Sequence, residues 1–411
     1  MTQPNTADGP DAYKIIVKTH DGVRGMDPAA WDMLVDDGSP FLEHGFLSLL
    51  EETGCTGQRA GWIPMIFTAH RVPEGDPDDA DGELIGALPF YIKTNSAGEF
   101  VFDWSWADAA QRAGIPYYPK AVVAVPFTPV TGRRILVGSW LEEDTHAAIR
   151  RALVEASVSV ASQMGLSSVH FNFVLDDERD VFDDLGVPTR FGMQYHWYNG
   201  RQQGEAQDYE DFDAFLARFR SKRRANIRRE RRKLAESGVT TRVVTGDALD
   251  ESIMARMYSF YVDTVRKFYW GRQYLTEEFF LALPERMSER IHLVVAADQD
   301  GRDFAGAFNL IKNDRLYGRY WGCTREIKYT HFEVCMYRPI EWCIEHGVQV
   351  FEPGAGGEHK YERGFEPTQT TSAHFIADPD LDRAVRGFLE REREATAAQI
   401  HHMLQESCLK D

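Results

Sequence analysis

The sequence predicts a mixed α/β fold divided into two domains. Three observations predict it: a length of 411 residues, an alternation of strand-like and helix-like segments, and a repeat of the same coarse order in the second half. A chain of this length is too long for one ordinary core, so two domains of about 200 residues are expected. The polar segment 201–212 separates the halves and places the domains at 1–205 and 206–411.

The first half begins with strands and continues through a long helix. An acidic segment at 72–83 is rich in Pro, Gly and Asp, as expected for an exposed hairpin loop. Apolar residues at helical spacing predict the helix. The predicted segments are strands at 64–71 and 84–93, a short strand around 99–104, an apolar run at 121–127, a helix at about 142–164 and a strand at 167–175.

The second half opens with a helix from about Phe212 to Ser237, which Gly238 ends as a C-cap. Two sequential strands, a hairpin partner, a helix and another strand then follow, and this is the core order of acetyltransferase-type folds. We therefore expect two tandem acetyltransferase-like (GNAT-type) domains, the second ending in a C-terminal helix. The predicted segments are strands at 291–298, 303–313 and 315–322, a helix at 332–346 and a strand at 348–354.

Composition and charge limit the class of protein. Hydrophobic residues make up 43% and charged residues 27% of the chain, as in soluble globular proteins. The net charge of −18 argues against indiscriminate binding to nucleic acid or anionic lipid. There is no basic start and no apolar run near the ~18 residues of a spanning helix, so we predict a cytoplasmic protein without membrane insertion. Five widely spread cysteines indicate reduced thiols.

Positive charge is concentrated in the helix that opens the second domain. Residues 218–233 contain ten Lys or Arg and one Glu. Clustered Arg and Lys suit phosphate through charge-assisted hydrogen bonds. The alternative is a solvated helix that pairs with the acidic remainder of the chain. We predict that the anion contacts are made by Lys222, Arg223, Arg224 and Arg228.

Several strings of the sequence resemble the FemAB-like peptidoglycan-biosynthesis family. They are distributed over nearly the whole chain, and several are long. The strings are FDWSWADA (102–109), YYPK (117–120), VAVPFTPVTG (123–132), SKRRANIRRERR (221–232), LYGRYWGC (316–323), HFEVCMY (331–337) and FEPGAGGEHKYERGFEP (351–367). The resemblance implies two acetyltransferase-like domains, and transfer of an amino acid from aminoacyl-tRNA to the amine of a peptidoglycan precursor. It also implies that the basic stretch contacts tRNA or a nucleotide diphosphate.

A glycine-rich segment after the last predicted strand is the candidate transfer site. Gly354, Gly356 and Gly357 allow sharp turning and leave amides available to an oxygen atom. The resemblance implies that this strand, the glycine turn and the following lysine line the transfer site. Lys360 is then expected to stabilise the oxyanion, and His359 or Glu358 to accept the amine proton. The alternative is a structural turn with surface charges.

A third cluster interleaves aromatic and acidic side chains, which suit a ring-bearing or amine-bearing substrate. Core packing is the alternative for the tryptophans. Tyr320 is also assigned to the substrate site, with His331 at the start of the helix beside the Gly354 turn. The substrate-binding residues predicted in the cluster itself are Asp103, Trp104, Tyr117 and Tyr118.

No cofactor or metal ion is predicted. The loop before the central helix carries Arg325 and Lys328 but no glycine, so it lacks the pyrophosphate-binding pattern Arg/Gln-x-x-Gly-x-Gly/Ala. Coenzyme A is therefore disfavoured as the donor. The spacing of cysteines and histidines at 323–346 lacks a CxxC pair and argues against zinc.

The predicted function is an N-acyltransferase that uses aminoacyl-tRNA to make an amide bond, in cell-wall or peptide metabolite biosynthesis. One alternative is an acyl-CoA-dependent N-acyltransferase. A second is a non-catalytic module that binds RNA or a precursor through residues 218–233. The acceptor stays open, since a peptidoglycan precursor, a peptide and a small amine all fit.

Overall fold

A computed structural model describes residues 12–78, 80–200, 208–267 and 271–410. The chain divides into two compact units. Unit 1 consists of Met1–Gly192 and Thr370–Thr396, and unit 2 consists of Met193–Gln369 and Ala397–Asp411. The predicted boundary at 205 and 206 lies outside the described residues. The units differ from two consecutive halves because a late segment of the chain belongs to unit 1.

Unit 1 contains a mixed sheet whose described strands follow the order β1-β2-β3-β4-β6-β13, with β5 beside β3. The strands are β1 (Tyr13–His20), β2 (Trp62–Pro73), β3 (Glu83–Lys93), β4 (Lys120–Val123), β5 (Leu136–Val137) and β6 (Ser168–Val174). The helices are α1 (Pro28–Val35), α2 (His44–Glu52), α3 (Trp104–Ala113), α4 (Glu143–Gln163) and α5 (Arg179–Asp184). The strands β7 (Thr189–Tyr198) and β13 (Glu366–Ile376) and the helix α12 (Pro379–Gln405) each cross from one unit to the other along the chain.

A parallel strand pair joined by a crossover helix forms the centre of unit 1. β4 and β6 are parallel, with Val122 opposite His170, and α4 connects them. Successive side chains of a strand point to opposite faces. Val169 and Phe171 therefore enter the core with Leu153 of α4, while His170 belongs to the opposite face.

Unit 2 repeats this arrangement. Its described strands follow the order β7-β12-β11-β10-β9-β8, and all neighbours are antiparallel except β11 and β12. The strands are β8 (Thr240–Val244), β9 (Ile291–Ala297), β10 (Asp303–Lys312), β11 (Arg315–Cys323) and β12 (Val350–Glu352). The helices are α6 (Phe212–Ala217), α7 (Ser221–Glu236), α8 (Glu251–Lys267), α9 (Glu277–Met287), α10 (Thr330–Phe332) and α11 (Arg338–Glu345). A π-helical segment, Glu333–Tyr337, joins α10 to α11.

The mixed α/β class is confirmed, with two local corrections. The single helix predicted at 212–237 is two helices, because the chain leaves the helical path at Phe219, which forms an isolated bridge with Leu409. Instead of the strand predicted around 99–104, α3 begins at Trp104. Within the described residues, no helix is both long and apolar enough to cross a membrane.

Candidate active site

The strands β11 and β12 diverge at the centre of unit 2. They pair only over Arg315–Tyr317 and Val350–Glu352, after which β12 ends and β11 continues to Cys323. β11 also carries a bulge opposite Phe308 and Asn309 of β10. Bulges re-aim side chains and occur next to active sites. The two strands therefore separate at the carboxyl end of the parallel pair.

The glycine turn lies directly beside this divergence. A Cβ atom on Gly354 would lie 3.1 Å from the carbonyl oxygen of Gly318. The φ angles of Gly354, Gly356 and Gly357 are +86°, +70° and +87°, a region that favours glycine. The predicted glycines are therefore required by the backbone of the turn.

Lys360 lies in the short 3₁₀ turn Glu358–Arg363 and is buried, with 7% of its surface exposed. Its Nζ donates to the carbonyl oxygen of Gly354 at 2.7 Å and lies 3.5 Å from that of Ala355. Burial lowers the pKa of Lys360 to about 8, against a smaller opposing effect of Cys335. An ammonium has three donors, so one remains for a substrate oxygen.

Two neutral histidines lie next to Lys360. The ring centroids of His331 and His359 are 5.4 Å apart, and Trp321 lies 4.4 Å from His331. Burial, followed by the neighbouring positive charges, lowers the pKa of both rings, that of His331 to about 4. The buried Nε2 of His359 has no hydrogen-bond partner among the described residues. Either ring is thus able to accept a proton at neutral pH.

The other two residues predicted in this region, Glu358 and Tyr320, differ from Lys360 in their exposure and contacts. Glu358 is exposed, and within the described residues its side chain forms no hydrogen bond with either histidine. Tyr320 packs against Tyr261, with ring centroids 4.8 Å apart, and is half-buried. We assign neither residue a contact with Lys360.

The sequence analysis missed His196 of β7. This residue is 5% exposed, and its Nε2 lies 3.8 Å from Oε2 of the buried Glu352. Burial first, then Arg315 and Lys360, lower the pKa of His196 to about 3. The signal was available, because Gln194 and His196 are polar residues that alternate with the aromatic residues Tyr195 and Trp197.

The basic helix α7 contacts the lysine turn. Arg223 pairs with Glu362 at 3.0 Å, and Glu230 pairs with Arg363 at 3.1 Å. Arg228 pairs with Asp213 at 2.8 Å. Several of the helix cations are thus bound by carboxylates of the chain itself.

Three other cations of α7 are exposed. Within the part of the chain that the structure describes, no carboxylate lies within 4.0 Å of Lys222, Arg229 or Lys233. Of the predicted anion contacts, Arg223 and Arg228 are therefore paired, Arg224 is half-buried with a contact of 3.4 Å to the carbonyl of Ala217, and Lys222 is open. The open set follows one face of the helix, at spacings of seven and four residues.

A cavity of about 650 Å³ also lies against α7. Its wall combines arginines with a larger number of acids from α6, the π-helical segment and α11, and Lys360 and the glycine turn do not contribute to it. The transfer site predicted at the glycine turn is thus not this cavity. No group of three His, Cys, Asp or Glu among the described residues is arranged to hold a metal ion.

The third predicted cluster lies in unit 1 and is a buried ionic network. Lys120 is fully buried and pairs with Glu99 at 2.7 Å and with Asp103. The Tyr117 hydroxyl donates to Asp103 at 2.6 Å. Burial would raise the pKa of Asp103, but the Lys120 ammonium outweighs it and lowers the value to about 2. Asp103 is therefore neutralised internally rather than left open to a substrate amine.

The aromatic members of the cluster divide into buried and exposed. Tyr117 is buried, whereas Trp104 is 62% and Tyr118 is 36% exposed. The Trp104 ring packs against Phe102, itself 57% exposed, with centroids 5.1 Å apart. Only the exposed rings are accessible to a ligand.

Comparison with known proteins finds a family model that matches nearly the whole chain. The FemAB-like family model, described as peptidoglycan biosynthesis/recognition, matches residues 22–411. The crystal structure of FemX aligns with a TM-score of 0.52 at 10% identity and covers 90% of this chain and 100% of that chain. This likeness supports the predicted acetyltransferase-like fold. No curated protein matches the sequence.

Two further solved structures align less closely. The structure of L-PGS from Bacillus licheniformis has a TM-score of 0.49 at 10% identity and covers 88% of this chain and 97% of that chain. A tandem GNAT protein from the clavulanic acid biosynthesis pathway has a TM-score of 0.40 at 11% identity, with coverage of 88% and 99%.

Proposed function

Because the chain belongs to the FemAB-like family, we propose that it transfers an aminoacyl group from aminoacyl-tRNA to the amine of a peptidoglycan precursor or related peptide. Family membership confirms the predicted resemblance and the prediction that the chain is a transferase. What we propose beyond family membership is the identity of the donor and the acceptor and the roles of the site residues.

The observation that carries the proposal is the buried Lys360 beside two neutral histidines where β11 and β12 diverge. In the proposed reaction the acceptor amine attacks the ester carbonyl carbon, a C–N bond forms and the ester C–O bond breaks. Lys360 donates to the developing oxyanion. His359 or His331 takes the amine proton, which is delivered to the departing ribose hydroxyl.

The exposed cations of α7 support a polyphosphate donor. Lys222, Arg229 and Lys233 have no carboxylate partner among the described residues, so their charge is available to phosphates. Net charge elsewhere is strongly negative, which favours RNA contact at this helix over the rest of the surface.

The segments at the N-termini of α4 in unit 1 and α10 in unit 2 do not favour binding of coenzyme A. Helix N-termini that hold pyrophosphate supply open amides and attract negative charge. The first turn of α4 instead carries Glu143 and Asp144 after Glu142. In unit 2, Arg325 of the loop before α10 pairs with Asp298 at 3.3 Å.

The test is an amide-transfer assay with purified protein, aminoacyl-tRNA and an amine acceptor. We expect product that depends on charged tRNA and is lost after ribonuclease treatment. Product formed from acetyl-CoA, insensitive to ribonuclease, would instead establish the CoA-dependent alternative. Salt-sensitive RNA binding without turnover of any donor would establish the non-catalytic alternative.

A further inference from the structure

Glu230 is the single acid of the basic run at 218–233 and is turned inward. Its two carboxylate oxygens each lie 3.1 Å from Nη2 of Arg363. The Tyr337 hydroxyl donates to Glu230 at 2.5 Å and accepts from Nε of Arg363 at 2.8 Å. The side chains of Glu230 and Arg363 are 13% and 6% exposed. The three side chains thus close a buried ring of hydrogen bonds.

This ring joins three elements of the candidate site. Nη1 of Arg363 donates to the carbonyl oxygen of His359 at 3.0 Å, and its guanidinium lies 3.4 Å from the centroid of the Phe332 ring. Tyr337 is the last residue of the π-helical segment, whose first residue, Glu333, is paired with Arg231 at 2.9 Å. Single-turn π segments occur mostly at functional sites.

We propose that Glu230 and Arg363 are positioning residues that hold the turn carrying His359 and Lys360 against the π-helical segment. The inference rests on the proposed function only for its effect on turnover. Charge-assisted hydrogen bonds between buried partners are the strong ones, and the orientation of a catalytic group depends on the shell that supports it.

The matched variants are Glu230→Gln and Glu236→Gln. Both remove one carboxylate from α7, but Glu236 is 65% exposed, and within the described part of the chain its ion pair is with Arg232 at 3.6 Å. Tyr337→Phe removes a single hydroxyl from the same ring and serves as a second test should Glu230→Gln fold poorly. The measurements on the full chain are amide hydrogen exchange, histidine ring NMR signals and steady-state transfer.

We expect Glu230→Gln and Tyr337→Phe to speed amide exchange over 354–365 and to move the ring signals of His359 and His331. The signals of His170 and His374 in unit 1 should keep their positions. The kcat for transfer should fall roughly 10- to 100-fold with little change in the KM of the acceptor. Glu236→Gln should match the unmodified protein.

Unchanged exchange and ring signals in both ring variants would overturn the inference, as would an equal effect of Glu236→Gln. A KM increase at constant kcat would also overturn it, because it would indicate lost ground-state binding. If the unmodified protein transfers no group, the proposed function fails, whereas exchange and ring signals still decide whether the pair positions the turn.

Discussion

Lys360 combines burial, a depressed pKa and a bond to the glycine turn. With its pKa lowered to about 8, the Lys360 side chain is charged at neutral pH. It loses its proton as the pH rises through about 8. A charge held where water is excluded has a stronger effect on a developing oxyanion.

The first prediction concerns Lys360→Met. Loss of the donor should lower kcat for transfer by about 100- to 1000-fold. In the unmodified protein kcat should fall as pH rises through about 8, since the charged form is present below that pKa and lost above it. Lys328→Met, at an exposed position in the loop before α10, is the control. A kcat that is constant through this range would contradict a role for the ammonium.

A second feature of single residues is the buried histidine pair of unit 1. The Nδ1 atoms of His170 and His374 are 2.7 Å apart, and each Nε2 lies 2.8 Å from a serine hydroxyl, of Ser168 and Ser372. Burial lowers the pKa of both rings, that of His170 to about 3. The folded protein therefore holds both rings neutral at pH values where the unfolded chain binds protons.

The second prediction is a loss of stability with acid. Because the folded pKa lies below the unfolded value of 6.5, protons favour the unfolded state as pH falls from 6.5 towards 3. Each such ring contributes a loss of up to ~1.4 kcal/mol per pH unit in this range. Urea unfolding followed by circular dichroism should show a weaker pH dependence in His374→Gln. An unaltered slope between pH 7 and pH 5 would refute this assignment.

At the scale of elements, α7 has two different faces that its sequence does not separate. One face is bound to the rest of unit 2 through Glu230 and Arg231, and the other exposes Lys222, Arg229 and Lys233. The positive run is therefore partly structural and partly available to a ligand.

The third prediction tests the exposed face. The variant Lys222→Ser with Arg229→Ser and Lys233→Ser should weaken RNA binding and reduce the slope of log affinity against log salt by about 2. The free energy of unfolding should change little, because exposed unpaired cations contribute little stability. Titrations at several salt concentrations measure the slope.

A matched control removes three arginines from α12 instead, Arg383, Arg386 and Arg391. These side chains lie in unit 1, and two of them pair with aspartates of their own helix. We expect the salt slope to stay as in the unmodified protein. Equal effects of the two triple variants would show that RNA responds only to net charge.

The elements that the sequence predicted are those with local patterns. Helical spacing placed α4 within one residue at each end, and the glycines of 354–357 marked a turn that their φ angles require. Tertiary contacts decided the rest. The break before α7 follows from a bridge to Leu409, and Asp103 faces Lys120, which no spacing rule reveals.

At the scale of the molecule, the assignment of Thr370–Thr396 to unit 1 is the main departure from two consecutive halves. β13 pairs with β6, with His374 opposite His170, and the first part of α12 packs Leu381 and Val385 on Trp106. Unit 1 therefore needs this segment to complete both its sheet and one of its apolar clusters.

The fourth prediction compares two shortened chains. A chain ending at Gln369 lacks the whole segment, and we expect rapid amide exchange over β6 and α3. A chain ending at Thr396 retains it, and exchange in those elements should stay slow. Hydrogen exchange followed by mass spectrometry reports the two regions separately. Slow exchange over β6 in the shorter chain would show that unit 1 is complete without β13.

Because Thr370–Thr396 belongs to unit 1, the two parts of this unit are synthesised at different times. Residues 1–192 leave the ribosome while the strand that completes their sheet is still untranslated. At ~5–20 residues per second, that strand follows after roughly 10 to 35 seconds. Throughout this interval the nascent chain presents β6 as an unpaired edge, which is a template for aggregation. We therefore expect the nascent chain to aggregate less when a chaperone covers this edge until β13 has been made.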